Sequence, residues 1–114
     1  ALGIGTPADI RRCAKLGWDM FDCVIPTREG RHGRIFRPGK QADTININNA
    51  RFAKDFRAIN AKSRLPELRR HSLAYLHHLF RLDEPLGQAL ASLNNLEYYQ
   101  NLMAELARRR QKQL

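Results

Sequence analysis

Asp22 is the residue whose setting could do chemistry. It stands in the apolar run Met20, Phe21, Cys23, Val24 and Ile25, and basic residues follow at strict three-residue spacing: Arg28, Arg31, Arg34, Arg37 and Lys40. A carboxylate drawn out of water beside a row of cations suggests a site for an anionic polymer. The apolar neighbours predict a buried Asp22. Residues 27–43, "TREGRHGRIFRPGKQAD", predict a loop rich in arginine and glycine.

The bulk properties narrow the polymer. A formal net charge of +9 over 114 residues favours a polyanionic partner, with nucleic acid ahead of a membrane surface. The length suits one domain, or a piece of one, with a real core. Cys13 and Cys23 fall in no metal-type spacing, so they read as two reduced thiols and place the chain in cytoplasm or an organellar matrix. No apolar run is long enough to span a bilayer, no secretory signal is visible, and no membrane partner is expected.

The elements that must position Asp22 are an expected α+β arrangement, mostly helical. Thr6 can cap a helix that Pro7 opens, Asp9 completes the cap signature and Gly17 stops it. The flanking "ALGIG" and "MFDCVI" read as buried strands, giving one parallel β-α-β unit over 1–26. Residues 27–48 form the basic loop and a short β-hairpin about Pro38 and Gly39. Residues 49–114 are helical: Asn49 can cap a short helix through "ARFAKDF", and Leu68, Leu73, Leu76, Leu79 and Phe80 share an apolar face. A second stripe, Leu96, Tyr99, Leu102, Met103 and Leu106, either closes the core or meets a partner. "PLGQALASL" reads as separate from the long helix after it, and the tail "RRRQKQL" is expected to fray. One β-α-β unit cannot make a self-sufficient parallel sheet, so Asp22 would sit on an open edge.

The blocks "GIGTPADI", "GWDMFDCVIPTREGRHG", "INNARFAKDF", "SLAYLHHLFRLDEPLG" and "LEYYQNLM" resemble, in order, the tRNA-guanine transglycosylases, or queuine tRNA-ribosyltransferases. The resemblance implies that 1–26 are the last strands of a (β/α)8 barrel and that 49–114 correspond to its inserted helical zinc subdomain. It implies a glycosyltransferase in which an aspartate attacks the ribose anomeric carbon of a tRNA guanosine, as a retaining glycosidase does. The family nucleophile maps to Asp22, with Asp19 facing the other way. The anticodon-binding arginines map to Arg28 and Arg31, with Arg34, Arg37 and Lys40 extending the strip.

Two departures qualify that picture. The family's zinc ligands fall on Ser63, Leu65, Leu68 and Asn94, side chains that cannot replace thiolates, so no metal and no other cofactor is expected. His71, His77 and His78 read as structural, and Asn48 stands where the family carries arginine. The chain also resembles only the last third of a family enzyme, which leaves Asp22 without a second carboxylate. The favoured reading is an RNA-binding fragment, tRNA being the RNA, that is not catalytic alone. Alternatives are part of a split enzyme with a companion chain completing the barrel, a recruited component of a ribonucleoprotein particle, and a dimer formed through the helical end.

Overall fold

Local signals written into the first fifteen residues are used as expected. The Thr6 Oγ1 accepts the Asp9 N–H at 3.2 Å and Pro7 opens α1 (Pro7–Lys15). The computed structural model describes residues 1–39 and 43–113 and is α+β, mostly helical, with one two-stranded antiparallel sheet. After α1 come α2 (Ile25–Arg31), β1 (Arg34–Arg37), β2 (Asp43–Asn46), a 3-10 turn (Ala50–Phe52), α3 (Pro66–Arg70), α4 (Leu73–Arg81) and α5 (Pro85–Gln113). The hairpin register pairs Arg34 with Asn46 and Arg37 with Asp43. Lys40 lies outside the described residues.

The 29-residue α5 is the spine. At 1.5 Å per residue it runs about 43 Å, close to the 47 Å longest dimension of the molecule. Its first half packs Leu90 and Ala91 into a core with Ile35, Ile47, Leu68, Leu73 and Leu76; its second half packs Tyr99 and Leu102 against Ile10 and Phe36. The expected apolar face of the helical half is therefore correct, with Phe80 only partly buried. The second stripe closes the core through Tyr99, Leu102, Met103 and Leu106, while Leu96 turns outward at 41% exposure.

Several expectations need correction. The β-α-β unit reduces to one parallel bridge, Leu2 with Asp22, made by Gly3 N–H to the Asp22 carbonyl at 2.8 Å and Asp22 N–H to the Ala1 carbonyl at 3.1 Å. The direction is parallel as expected, but a lone pair of segments has too few ladder bonds to form strands. Ile25–Arg31 is helix, not strand or loop, because Pro26 sits at its first turn and Gly30 lets it lie directly on α5. "PLGQALASL" belongs to α5, which stays helical to Gln113; Arg109 pairs with Glu105 at 2.7 Å and Arg110 pairs with Asp19 across from α5. The "ARFAKDF" helix is only a 3-10 turn, although Asn49 caps it as expected through the Arg51 N–H at 3.0 Å.

The α2–α5 contact is tight enough to yield a prediction. A Cβ on Gly30 would stand 2.9 Å from the Ser92 backbone nitrogen and 3.0 Å from its Cα. Neither atom can step aside without moving α5. Gly30→Ala is expected to destabilise by about 1–3 kcal/mol, the usual cost of overpacking, measured as a lower denaturant midpoint with unchanged slope.

Candidate functional site

Asp22 is exposed, not buried. Phe21, Cys23 and Ile25 pack inward against the second core, whereas Met20 and Val24 are 80% and 59% exposed. The segment keeps the two-residue alternation of a strand, so the aspartate is flanked by apolar residues in sequence but shares a face with the outward ones. Its carboxylate has no ion pair among the described residues, and it edges a groove of about 380 Å³ floored by Ile10, Phe21, Tyr99 and Met103. Tyr99 fixes that floor: its hydroxyl donates to the Gly5 carbonyl at 2.6 Å, and burial pushes the phenol well above its ordinary range.

The evenly spaced arginines do not form one strip. Arg28 and Arg31 are three apart on α2 and so share a helix face, both exposed. Arg34 and Arg37 are three apart on a strand and so point to opposite faces. Glu29 gathers the near pair, with Arg34 Nε at 3.2 Å and Arg28 Nη2 at 3.7 Å. Arg31 makes no ion pair among the described residues. Arg37 belongs to the far end of the hairpin.

What holds α2 and β1 together was not anticipated. Asn95, wholly buried on α5, accepts the Phe36 N–H at 3.0 Å and donates to the carbonyls of Pro26 and Arg34, each at 2.9 Å. Asn94 donates to the Phe36 carbonyl at 2.9 Å and to the Asn95 Oδ1 at 3.1 Å. One amide pair thus ties the start of the arginine helix to the arginine strand. The α2–β1 turn is completed at Gly33, whose φ of +86° suits glycine and which the Asn48 amide approaches while donating to the His32 carbonyl at 3.2 Å. Asn48 is thereby occupied in backbone support.

Ser63, Leu65, Leu68 and Asn94 are also engaged. Leu68 is fully buried in the first core and Leu65 packs on it; the Ser63 hydroxyl accepts the Leu65 N–H at 2.9 Å; Asn94 is spent as above. Of the histidines, His77 is buried with its Nδ1–H donating to the Ile47 carbonyl at 2.7 Å, and His71 stacks on Tyr75.

Past the hairpin, Asp55 receives Arg57 Nε at 2.9 Å and Nη2 at 2.7 Å. The Arg57 side-chain hydrogen bonds hold the Asp55 carboxyl down at about 2, against 3.8 unperturbed. Because the folded value is depressed, the unfolded chain binds more protons on the acid side. The contribution is full above pH 3.8 and disappears as pH falls through about 2. Asp55→Asn is expected to flatten the fall in stability across that window, read from urea midpoints at successive pH values.

Asp22, turned outward, is followed at once by α2 with its two exposed arginines. A family model described as queuine tRNA-ribosyltransferase matches residues 1–111, and the chain belongs to that family. The queuine tRNA-ribosyltransferase of Rhizobium meliloti (strain 1021) is 54% identical over 104 residues, 90% of this chain and 27% of that protein. The one from Agrobacterium fabrum is 52% identical over 103 residues, and the one from Rickettsia rickettsii (strain Sheila Smith) 46% over 105. The chain spans about a quarter of the length of the curated relatives it matches, against the third expected. No helix among the described residues is long and apolar enough to cross a membrane.

Proposed function

We propose that this chain binds RNA, specifically the anticodon region of a tRNA, through Arg28 and Arg31, with Arg34 beside them and with Arg37, on the opposite face of β1, and Lys40 as further cations, and that it does not exchange bases by itself. The observation that carries the reading is the exposure of Arg28 and Arg31 on one face of α2, directly after Asp22, in a family member of net charge +9. Base exchange needs a nucleophilic carboxylate and a second group to handle protons. Among the described residues, Asp22 is the only carboxylate lining its groove. Incubated with tRNA and labelled guanine, the 114-residue chain is expected to incorporate none. Incorporation by the chain alone would overturn this part of the proposal.

A second reading is favoured by the surroundings of Asp22. Leu2, Met20 and Val24, at 85%, 80% and 59% exposure, rim the carboxylate with uncovered apolar surface next to a lone parallel bridge. In this reading the bridge is the end of a (β/α)8 barrel that a companion chain completes, and Asp22 attacks the ribose anomeric carbon. The bond from Asp22 oxygen to that carbon forms as the carbon–guanine bond breaks, and guanine leaves with the electron pair. Native mass spectrometry of the gently purified chain separates the readings: a barrel-sized companion, with a covalent RNA adduct lost in Asp22→Asn, supports the composite enzyme. Recovery in an RNA-rich particle indifferent to Asp22→Asn supports a recruited binding module.

Residues 49–114 are proposed to correspond to the family's zinc subdomain with the metal replaced by packing. Ser63, Leu65, Leu68 and Asn94 do not fit a zinc ion, since two are core leucines and the other two are committed to hydrogen bonds. Leu68 is fully buried and Leu65 packs on the same core, burial that returns up to about 3–6 kcal/mol.

A further inference from the structure

The reading above leaves one basic stretch unused. In residues 50–57, Arg51, Lys54, Phe56 and Arg57 are all exposed, and Phe56, at 77% exposure, is far more open than the buried Phe52 beside it. Phe56 stands between Asp55 and Arg57 in sequence, and the cations of this stretch are braced. Arg51 lies over the Phe52 ring with its guanidinium carbon 4.6 Å from the centroid, and Phe52 is anchored in the core. Arg57 is fixed by its two bonds to Asp55. Arg37, arriving from the end of β1, joins Arg51 and Arg57 around an open groove of about 440 Å³; a neighbouring groove of about 470 Å³ shares Arg37 and Arg57 and runs on to Lys62. Braced cations bordering open grooves, with a bare aromatic ring alongside, are the means by which single-stranded nucleic acid is held without sequence preference.

We propose that residues 51–57, with Arg37 and Lys62, form a second contact for single-stranded RNA, in which Phe56 stacks on a base while Arg37, Arg51 and Lys62 hold the flanking phosphates. This rests on RNA being the partner and carries its footprint past β1. Four strand residues span roughly 10 Å, so a strand leaving the α2 arginines reaches Arg37 within a short run of nucleotides. Charge favours RNA over a polypeptide cover: among the described residues the two grooves set Arg37, Arg51, Arg57 and Lys62 against Asp43 and Asp55 alone, and Asp55 is already paired with Arg57.

The test is fluorescence anisotropy of a fluorescein-labelled tRNA anticodon stem-loop with the 114-residue chain. Phe56→Leu, which keeps apolar bulk but removes the π-face, is expected to weaken binding about tenfold, and Phe56→Tyr to stay within about twofold of wild type. Arg51→Gln should lower the salt slope by about 0.7. Circular dichroism guards against misfolding, which an exposed side chain is not expected to cause. If Phe56→Leu and Arg51→Gln bind like wild type while Arg28→Ala/Arg31→Ala does not, the second contact is refuted and the primary reading stands. If the wild-type chain binds no RNA, both fall. A photocrosslinking phenylalanine at position 56 that captures polypeptide and no RNA also overturns the proposal.

Discussion

Replacing Asn95 with leucine is expected to remove about 3–5 kcal/mol of stability, a large share of the 5–15 kcal/mol a domain has. The side chain is fully buried, and its amide satisfies the Phe36 N–H and the carbonyls of Pro26 and Arg34, besides meeting Asn94. Leucine fills a similar volume and brings favourable apolar burial, but it strips a partner from the buried Phe36 N–H, from the part-buried Arg34 carbonyl and from the Pro26 carbonyl, and each buried group left unpaired costs about 1–3 kcal/mol. Because those groups belong to α2 and β1, the loss should also loosen the arginines they carry. Urea denaturation followed by circular dichroism reads the first effect and RNA affinity the second. A stability change under about 1 kcal/mol would mean that the two asparagines are not what joins these elements.

The second large effect is on binding. Arg28→Ala/Arg31→Ala should weaken affinity for a tRNA anticodon stem-loop about 100-fold at moderate salt, since each charge-assisted contact is worth about 1.5 kcal/mol or somewhat more. Stability should hardly change, because both side chains are exposed and the ion pair of Arg28 with Glu29, at 3.7 Å, is a surface pair. Arg34→Ala should cost less, as Glu29 already draws that guanidinium to 3.2 Å. Equilibrium titration of the variants at one ionic strength checks the order. Equal losses for Arg31→Ala and Arg34→Ala would contradict the special place given to α2.

Much of the frame was legible because it is written locally. Thr6, Pro7 and Asp9 encode the start of α1, Asn49 encodes its 3-10 turn, and the apolar spacing of Leu68, Leu73, Leu76 and Leu79 encodes the buried face of the helical half. What escaped is decided by tertiary contact. With Gly30 inside it and Gly33 just after, α2 looks like a loop, and it is a helix because that same Gly30 allows backbone-close packing on Ser92. The three-residue spacing of the arginines looked like one strip, but a helix and a strand convert equal spacing into different directions. Asp22 has apolar neighbours in sequence, but the two-residue alternation of its segment turns it outward with Met20 and Val24. The asparagine pair did leave a trace. Asn94 and Asn95 sit four residues after Leu90 and Ala91 and four before Tyr98 and Tyr99, on the stripe that faces the core, and a polar pair there must bond to something buried.

The most decisive experiment is a salt titration of the 114-residue chain against a tRNA anticodon stem-loop. With four of the arginine and lysine contacts on phosphate, log affinity against log salt should fall with a slope near −3, and Arg28→Ala/Arg31→Ala should reduce it to about half that. No binding at low salt, or a slope that the double substitution leaves unchanged, would contradict an RNA site on the helix that follows Asp22.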